Sequence, residues 1–289
     1  MRTCSTISDL RSVCWTSWER GRRIGLVPTM GALHEGHLSL VRAAKASCQF
    51  VVASIFVNPT QFGLNEDLAK YPRNIERDSA LLEREGVNVL FAPTVEEMYP
   101  AGAVTWVTVE GISDRLDGRS RPGHFRGVTT VVAKLFHIVE PEAAFFGEKD
   151  AAQLAILRKM ARELNFPIEI VGCPIVREAD GLAMSSRNAY LDSVQRRQAL
   201  SLSRALAQIA KMHERGERRA GELARRGKEE IASEAEVRLD FLEIVEPDTL
   251  DPVVEVGCGA LVAVAAYVGT TRLIDNILLP PDKPVRAGD

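Results

Sequence analysis

The chain is 289 residues long, which predicts two domains when one domain takes about 100–200 residues. Hydrophobic residues make up 46% and charged residues 26%, a balance that can fill a sizeable core and excludes disorder and fibrous repeats. With 36 Lys+Arg against 39 Asp+Glu the formal charge is −3, so the chain has no bulk attraction to a nucleic-acid backbone or an anionic membrane.

The N-terminus, Met1-Arg2-Thr3-Cys4-Ser5, leads into mixed polar residues rather than an apolar stretch with a small-residue cleavage site, and no export is expected. From residue 24 onward, short β-branched or aromatic runs alternate with helical periodicity. A strand at 24–27, a helix at about 36–46 and a strand at 50–57 read as a βαβ unit. The alternation continues with a helix near 74–85, a strand at 87–91, a helix near 126–139, a strand at 143–146, a helix at 150–164 and a strand at 168–171. This pattern predicts an α/β fold, a Rossmann-like, mostly parallel sheet with flanking helices, over residues 1–176.

Past about residue 177 the texture changes. Residues 194–230 are rich in Ala, Arg and Glu and predict two helices broken near Gly216, with Leu202, Leu206 and Ile209 as an apolar stripe. Their excess of basic residues reads as a solvated helix face, and His137 and His213 are both expected on exposed helix faces. Strands at 237–245, 260–268 and 273–279 complete a smaller C-terminal α+β domain with an antiparallel sheet over residues 177–289. The longest apolar run, 260–268, is about half of the roughly 20 residues that span a bilayer as a helix. Five scattered cysteines with no C-x-x-C pair and no His-rich tract predict reduced, cytosolic thiols and no zinc site.

No G-x-x-x-x-G-K-[ST] pattern is present, and Gly257-Cys258-Gly259 fails the dinucleotide fingerprint. The strongest chemical signal follows the first predicted strand of the βαβ unit: Pro28-Thr29-Met30-Gly31-Ala32-Leu33-His34-Glu35-Gly36-His37. Open α/β sheets bind ligands at such strand ends. His34 and His37, three apart, share a face at a helix N-terminus, where free N–H groups and the dipole favour an anion. Gly36 leaves room for a nucleotide beside the backbone and Gly31 frees the turn. Taken alone, His37 on a stripe with Leu40, Val41 and Ala44 reads rather as a core histidine; the H-x-G-H pairing after a strand reverses that reading in favour of phosphate.

Gly147-Glu148-Lys149-Asp150 also runs from a strand into a helix. Lys149 can reach a phosphate and Asp150 is either an ordinary cap or, with Gln153 one turn on, a ligand contact. Residues 179–188 place Met184-Ser185-Ser186-Arg187 at the change of texture, with hydroxyls beside a permanent cation. Weaker elements are Asn58-Pro59-Thr60-Gln61-Phe62-Gly63, the basic loop Arg121-Pro122-Gly123-His124-Phe125-Arg126-Gly127 before a helix, and Asp78, read either as an acid near a metal–phosphate complex or as a residue at the edge of a helix stripe.

Together with Tyr71-Pro72-Arg73 and Gly269-Thr270-Thr271-Arg272-Leu273-Ile274-Asp275-Asn276, these segments resemble, in order and spacing, the pantoate–β-alanine ligase (pantothenate synthetase) family. H-x-G-H alone points only to the wider nucleotidylyl-transferase and class I aminoacyl-tRNA synthetase group. The resemblance implies ATP-dependent adenylation of pantoate, release of pyrophosphate, and aminolysis of the adenylate by β-alanine to pantothenate and AMP. It implies an ATP/pantoate-binding N-terminal domain and a C-terminal lid.

Carried over by position, ATP is expected at Met30, Gly31, Ala32, Leu33, His34, Glu35, Gly36, His37, Gly147, Glu148, Lys149, Asp150, Val176, Met184, Ser185, Ser186 and Arg187. Pantoate is expected at Gln61 and Gln153. His37, His34, Lys149 and Arg187 are the expected catalytic residues. Mg²⁺ is expected to travel with ATP on its β- and γ-phosphates, needing at most one or two protein carboxylates, with Asp78 the candidate for its surroundings. No base for the ammonium of β-alanine stands out, so the free amine is expected to be taken from solution. The family also implies a homodimer through the N-terminal domain.

Ala151-Ala152 replace the family's usual aromatic and glutamine, and Thr60 takes a place often held by methionine, so packing near pantoate is expected to differ. The rival readings are a nucleotidylyltransferase acting on another small substrate, which would need further basic residues for a second phosphate, and an ATP-binding sensor without turnover.

Overall fold

The computed structural model describes residues 1–63, 66 and 68–282; residues 283–289 of the predicted second domain lie outside them. Two compact units divide the chain: Met1–Val176 with Met184–Ser186, and Arg177–Ala183 with the chain from Arg187 onward.

The first unit runs β1 (Arg2–Cys4), α1 (Ile7–Trp18), β2 (Ile24–Thr29), α2 (Glu35–Ser47), β3 (Phe50–Ile55), α3 (Ile75–Arg84), β4 (Val89–Phe91), α4 (Val95–Met98), α5 (Asp117–Ser120), α6 (His124–Val139), β5 (Ala143–Gly147), α7 (Ala151–Glu163) and β6 (Glu169–Cys173). Its six strands are ordered β1-β4-β3-β2-β5-β6, and every pairing is parallel. The central strands β2, β3 and β5 are apolar on both faces, as a helix-covered parallel sheet requires; Leu26, Val27, Val51, Val52 and Ala53 are all fully buried. Pro28 is accommodated because β2 pairs with β5 only at Gly25 and Leu26, so that ladder has ended before a donor is missed.

From β2 the chain moves outward through β3 to β4, and later returns to β5 and moves the opposite way to β6. The order therefore reverses between β2 and β5, and the carboxyl ends of those two strands flank the crevice where open α/β sheets take their ligands. The segments after β2 and β5 are the two strongest motifs of the sequence.

β1 and α1 were not expected. α1 starts at Thr6, whose hydroxyl accepts the Asp9 N–H at 3.2 Å. Leu10, Cys14 and Ser17 face inward while the two large aromatics, Trp15 and Trp18, are exposed.

The second unit contains α8 (Ser193–Glu214), α9 (Ala220–Ala232), β7 (Val237–Val245), β8 (Ala260–Val268) and β9 (Thr271–Leu279). The strands form an antiparallel meander, and Leu202, Leu206, Ile209, Leu223, Ile231, Val262 and Val264 share its core. Gly227 lets α9 approach closely: a Cβ there would lie 2.7 Å from Ile209 and 2.8 Å from Leu242. The basic excess of the two helices is drawn into ion pairs, Arg204 with Glu230 and Glu234, and Arg225 with Glu222 and Glu229. His137 is exposed as expected, but His213 is buried; it sits in the last turn of α8, where its carbonyl accepts the Arg218 guanidinium at 2.6 Å. Among the described residues no helix is long and apolar enough to cross a membrane.

Candidate active site

The loop leaving β2 is shaped by two consecutive left-handed residues, Gly31 (φ 81°) and Ala32 (φ 51°). Such a conformation is costly for alanine and persists only when surrounding contacts fix it. Asp78 on α3 supplies them: its Oδ2 accepts the Ala32 N–H at 2.7 Å and its Oδ1 the Leu33 N–H at 3.0 Å. Thr29 Oγ1 accepts the Gly31 N–H and donates to the Ser54 carbonyl, tying the loop to β3. A Cβ at Gly31 would lie 3.1 Å from both Asp78 Oδ2 and Ile55. The Asp78 carboxylate, 1% exposed, thus holds this loop, and its Oδ1 also meets the Arg77 guanidinium at 3.3 Å.

His34 stands at the N-cap of α2 and His37 in its first turn, with ring centroids 4.1 Å apart. The His34 backbone N–H points at His37 Nδ1, 3.4 Å away. A ring nitrogen that accepts there leaves the proton of a neutral imidazole on Nε2, as a donor. Burial, then the neighbouring His34 and Lys149, lower the His37 pKa to about 3, so the ring is neutral at physiological pH. A Cβ at Gly36 would meet the His34 ring at 2.9 Å and Met184 at 3.8 Å, so the glycine makes room for the histidine. Glu35 turns to Arg42, which also pairs with Glu85.

At the end of β5, a single 3₁₀ turn, Glu148–Asp150, carries Lys149 into α7. Asp150 occupies the N-cap position of α7 but accepts no capping hydrogen bond and is exposed, which removes capping as its explanation. Gln153 is half-buried one turn on, beside the buried Leu154 and Leu157. The Met184 N–H donates to the Val176 carbonyl at 2.9 Å, which brings Met184, Ser185 and Ser186 back to the first unit, while Arg187 belongs to the second.

Gln61 lies in a short 3₁₀ turn, Pro59–Gln61, capped by Asn58. Asn58 is 1% exposed and its amide is fully used. Oδ1 accepts the Tyr99 hydroxyl at 2.9 Å and the Thr60 hydroxyl at 2.9 Å; Nδ2 donates to Gln61 Oε1 at 3.0 Å and to the Gly127 carbonyl at 3.1 Å. Two hydroxyl donors on Oδ1 fix which way the Asn58 amide faces, and that fixes the Gln61 amide in turn. Gln61 Nε2 is left pointing toward Met30, 3.2 Å from its sulfur. The pantoate candidate on β3's loop is therefore in contact with the ATP candidate on β2's loop. Gly127 on α6 permits this: a Cβ there would lie 2.4 Å from the Thr60 carbonyl oxygen and 2.6 Å from the Gln61 nitrogen. Tyr99 carries no functional signal in the sequence, because it reaches the site through tertiary packing, and Gly127 is marked only as the end of a basic loop; the Asn-Pro step before Gln61 is the local cue, an N-cap followed by Pro at the first turn position.

Among the described residues no group of three or more His, Cys, Asp or Glu side chains converges as a metal site. The cysteines are all unpaired.

The family model described as Pantoate-beta-alanine ligase matches residues 2–278. The pantothenate synthetase of Koribacter versatilis is 60% identical over 279 residues, covering 96% of both chains, and that of Acidobacterium capsulatum is 67% identical over 258 residues, 89% of this chain and 86% of the relative. The crystal structure of pantothenate synthetase from Thermus thermophilus superposes with a TM-score of 0.92 at 49% identity, over 97% of this chain and 100% of the other. Pantoate-beta-alanine ligase from Francisella tularensis, complexed with beta-gamma ATP and beta-alanine, superposes with a TM-score of 0.79 at 33% identity over 96% and 97% of the two chains.

Proposed function

The chain belongs to the pantoate–β-alanine ligase family, and from that premise we propose that it condenses (R)-pantoate with β-alanine through a pantoyl-adenylate. In the first half-reaction a pantoate carboxylate oxygen attacks the α-phosphorus of ATP, the bond from that phosphorus to the bridging oxygen breaks, and pyrophosphate leaves. In the second the β-alanine amine attacks the acyl carbon, the C–O bond to AMP breaks, and pantothenate is released.

The observation that carries the residue roles is the neutral His37 with its proton directed to Nε2 by the His34 N–H. A donor of fixed orientation, with no charge to titrate away, suits the α-phosphoryl oxygens as negative charge moves onto pyrophosphate. Lys149 supplies positive potential at the crevice between β2 and β5, and His34 adds a second imidazole donor. The loop Met30–Gly31–Ala32–Leu33, with Gly147, Glu148 and Asp150 opposite, surrounds the nucleotide, and Val176, Met184, Ser185, Ser186 and Arg187 are assigned to ATP on their motif. Gln61, with Nε2 facing inward, donates to pantoate oxygens, and Gln153 binds the same substrate from α7. Most of the rate enhancement is then positioning and electrostatics.

Mg²⁺ enters as part of its ATP complex, held by phosphates and water. The commitment of Asp78 to backbone N–H groups supports a cation carried by the substrate. Five unpaired cysteines support a cytoplasmic setting. Family membership supports a homodimer through the first unit, and its test is the mass in solution.

The deciding experiment is pyrophosphate release from Mg·ATP with pantoate, with and without β-alanine, and mass detection of product. Pantoate-dependent pyrophosphate, with pantothenate and AMP accumulating only when β-alanine is present, is the expected result. ATP binding without pantoate-dependent release would overturn the proposal.

A further inference from the structure

The His124 imidazole lies between two groups that leave it a single hydrogen-bonding arrangement. On one side is the Gln61 carbonyl oxygen, 2.8 Å from Nδ1; a carbonyl can only accept. On the other is the Arg121 guanidinium, with Nη1 2.9 Å from Nε2; a guanidinium can only donate. The ring must therefore be neutral, with its proton on Nδ1 and a lone pair on Nε2. Arg121 is itself held by both oxygens of Glu66, at 2.7 and 2.6 Å. Burial first, and Arg121 second, lower the His124 pKa to about 4, so this arrangement persists through the neutral range.

The Gln61 residue is thus gripped twice: its side-chain amide by Asn58 and its main-chain carbonyl by His124. We propose that His124 is a positioning residue for pantoate, clamping the main chain of Gln61 so that its amide Nε2 meets the substrate at a fixed place. The Glu66–Arg121 pair serves this clamp by dictating the tautomer. The inference rests on the assignment of Gln61 to pantoate and adds to it a group that touches no substrate.

Steady-state kinetics of the full chain, varying pantoate at saturating Mg·ATP and β-alanine and then varying ATP, test it in four variants. H124A is expected to raise the KM for pantoate about tenfold, the scale of one lost hydrogen bond, with kcat and the KM for ATP within about twofold. H124N places an amide N–H where Nδ1–H stands and is expected to recover most of the loss; H124Q reaches past that point and is not. In a Q61A background H124A is expected to add less than about twofold, since the clamp has nothing left to position. An equal rise in the KM for ATP, an asparagine no better than glutamine, or a full H124A effect on top of Q61A would overturn the role of His124 while leaving Gln61 in place. Q61A without effect on pantoate would overturn the underlying assignment and the clamp with it. Should H124A fail to fold, the comparison of H124N with H124Q decides the question alone.

Discussion

Asp78 and Ala32 are 46 residues apart in sequence and joined in space by a 2.7 Å hydrogen bond from the Ala32 N–H to Asp78 Oδ2. That bond, with its partner to the Leu33 N–H, holds the left-handed turn that starts the phosphate-facing loop. D78A leaves two N–H groups without acceptors, and burial of each costs about 1–3 kcal/mol. We expect D78A to lower stability by about 2–4 kcal/mol in urea unfolding and to reduce ATP affinity; D78N, which keeps one acceptor, should fall between. Retained ATP affinity in D78A would show that the loop keeps its shape without the carboxylate. A32G tests the strain from the other side: relief of the positive φ should stabilise by about 1 kcal/mol.

His37 offers Nε2–H as a neutral donor. H37A should cut pantoate-dependent pyrophosphate release by about 10²–10³-fold, the scale of losing one oriented donor to a transition state, with a smaller effect on ATP binding. H37Q, whose amide N–H reaches a similar place, should retain more activity than H37A. Because the ring stays neutral down to about pH 3, the rate should show no loss at pH 6–7 traceable to His37. A kcat limb near pH 6.5 that disappears in H37Q would mean that the ring titrates normally in the working enzyme.

Gly127 is the contact through which α6 sets the height of the Gln61 turn. A methyl group 2.4 Å from the Thr60 carbonyl oxygen cannot be absorbed without moving backbone, and overpacking of this kind costs about 1–3 kcal/mol. G127A should raise the KM for pantoate well beyond its effect on ATP, even where the protein melts as a single transition. Equal effects on the two substrates would place the disturbance elsewhere.

The sheet and its helices were legible because their periods differ. The run at 24–27 is apolar at consecutive positions, as for a strand buried on both faces, and α2 switches to the stripe Leu40, Val41, Ala44. α1 escaped for a definite reason: its aromatics face outward, Trp15 at 57% and Trp18 at 55% exposed, while cysteine and serine face in. β1 is three residues long and is a strand only because β4 pairs with it. At the site the split is similar. H-x-G-H is a local pattern and was readable as such. The roles of Asp78, His124 and Gly127 depend on partners 45–69 positions away.

The two neutral, half-buried histidines also shape acid stability. Their folded-state values, about 3 for His37 and about 4 for His124, lie below the ordinary 6.5. The unfolded chain therefore takes up these protons first as pH falls, and stability, complete above about pH 6.5, is lost progressively between pH 6.5 and those lower values. For His124 alone the loss by pH 4 is on the order of 2–3 kcal/mol at about 1.4 kcal/mol per pKa unit. H124N removes that group and keeps the hydrogen bond to Gln61, while the carboxylates that also destabilise acid solutions are common to both proteins. Urea unfolding at pH 7.5 and pH 5 should show a smaller drop for H124N than for the parent chain. Parallel drops would mean that His124 is already protonated in the folded protein at pH 5, and that Arg121 does not hold its Nε2 as an acceptor.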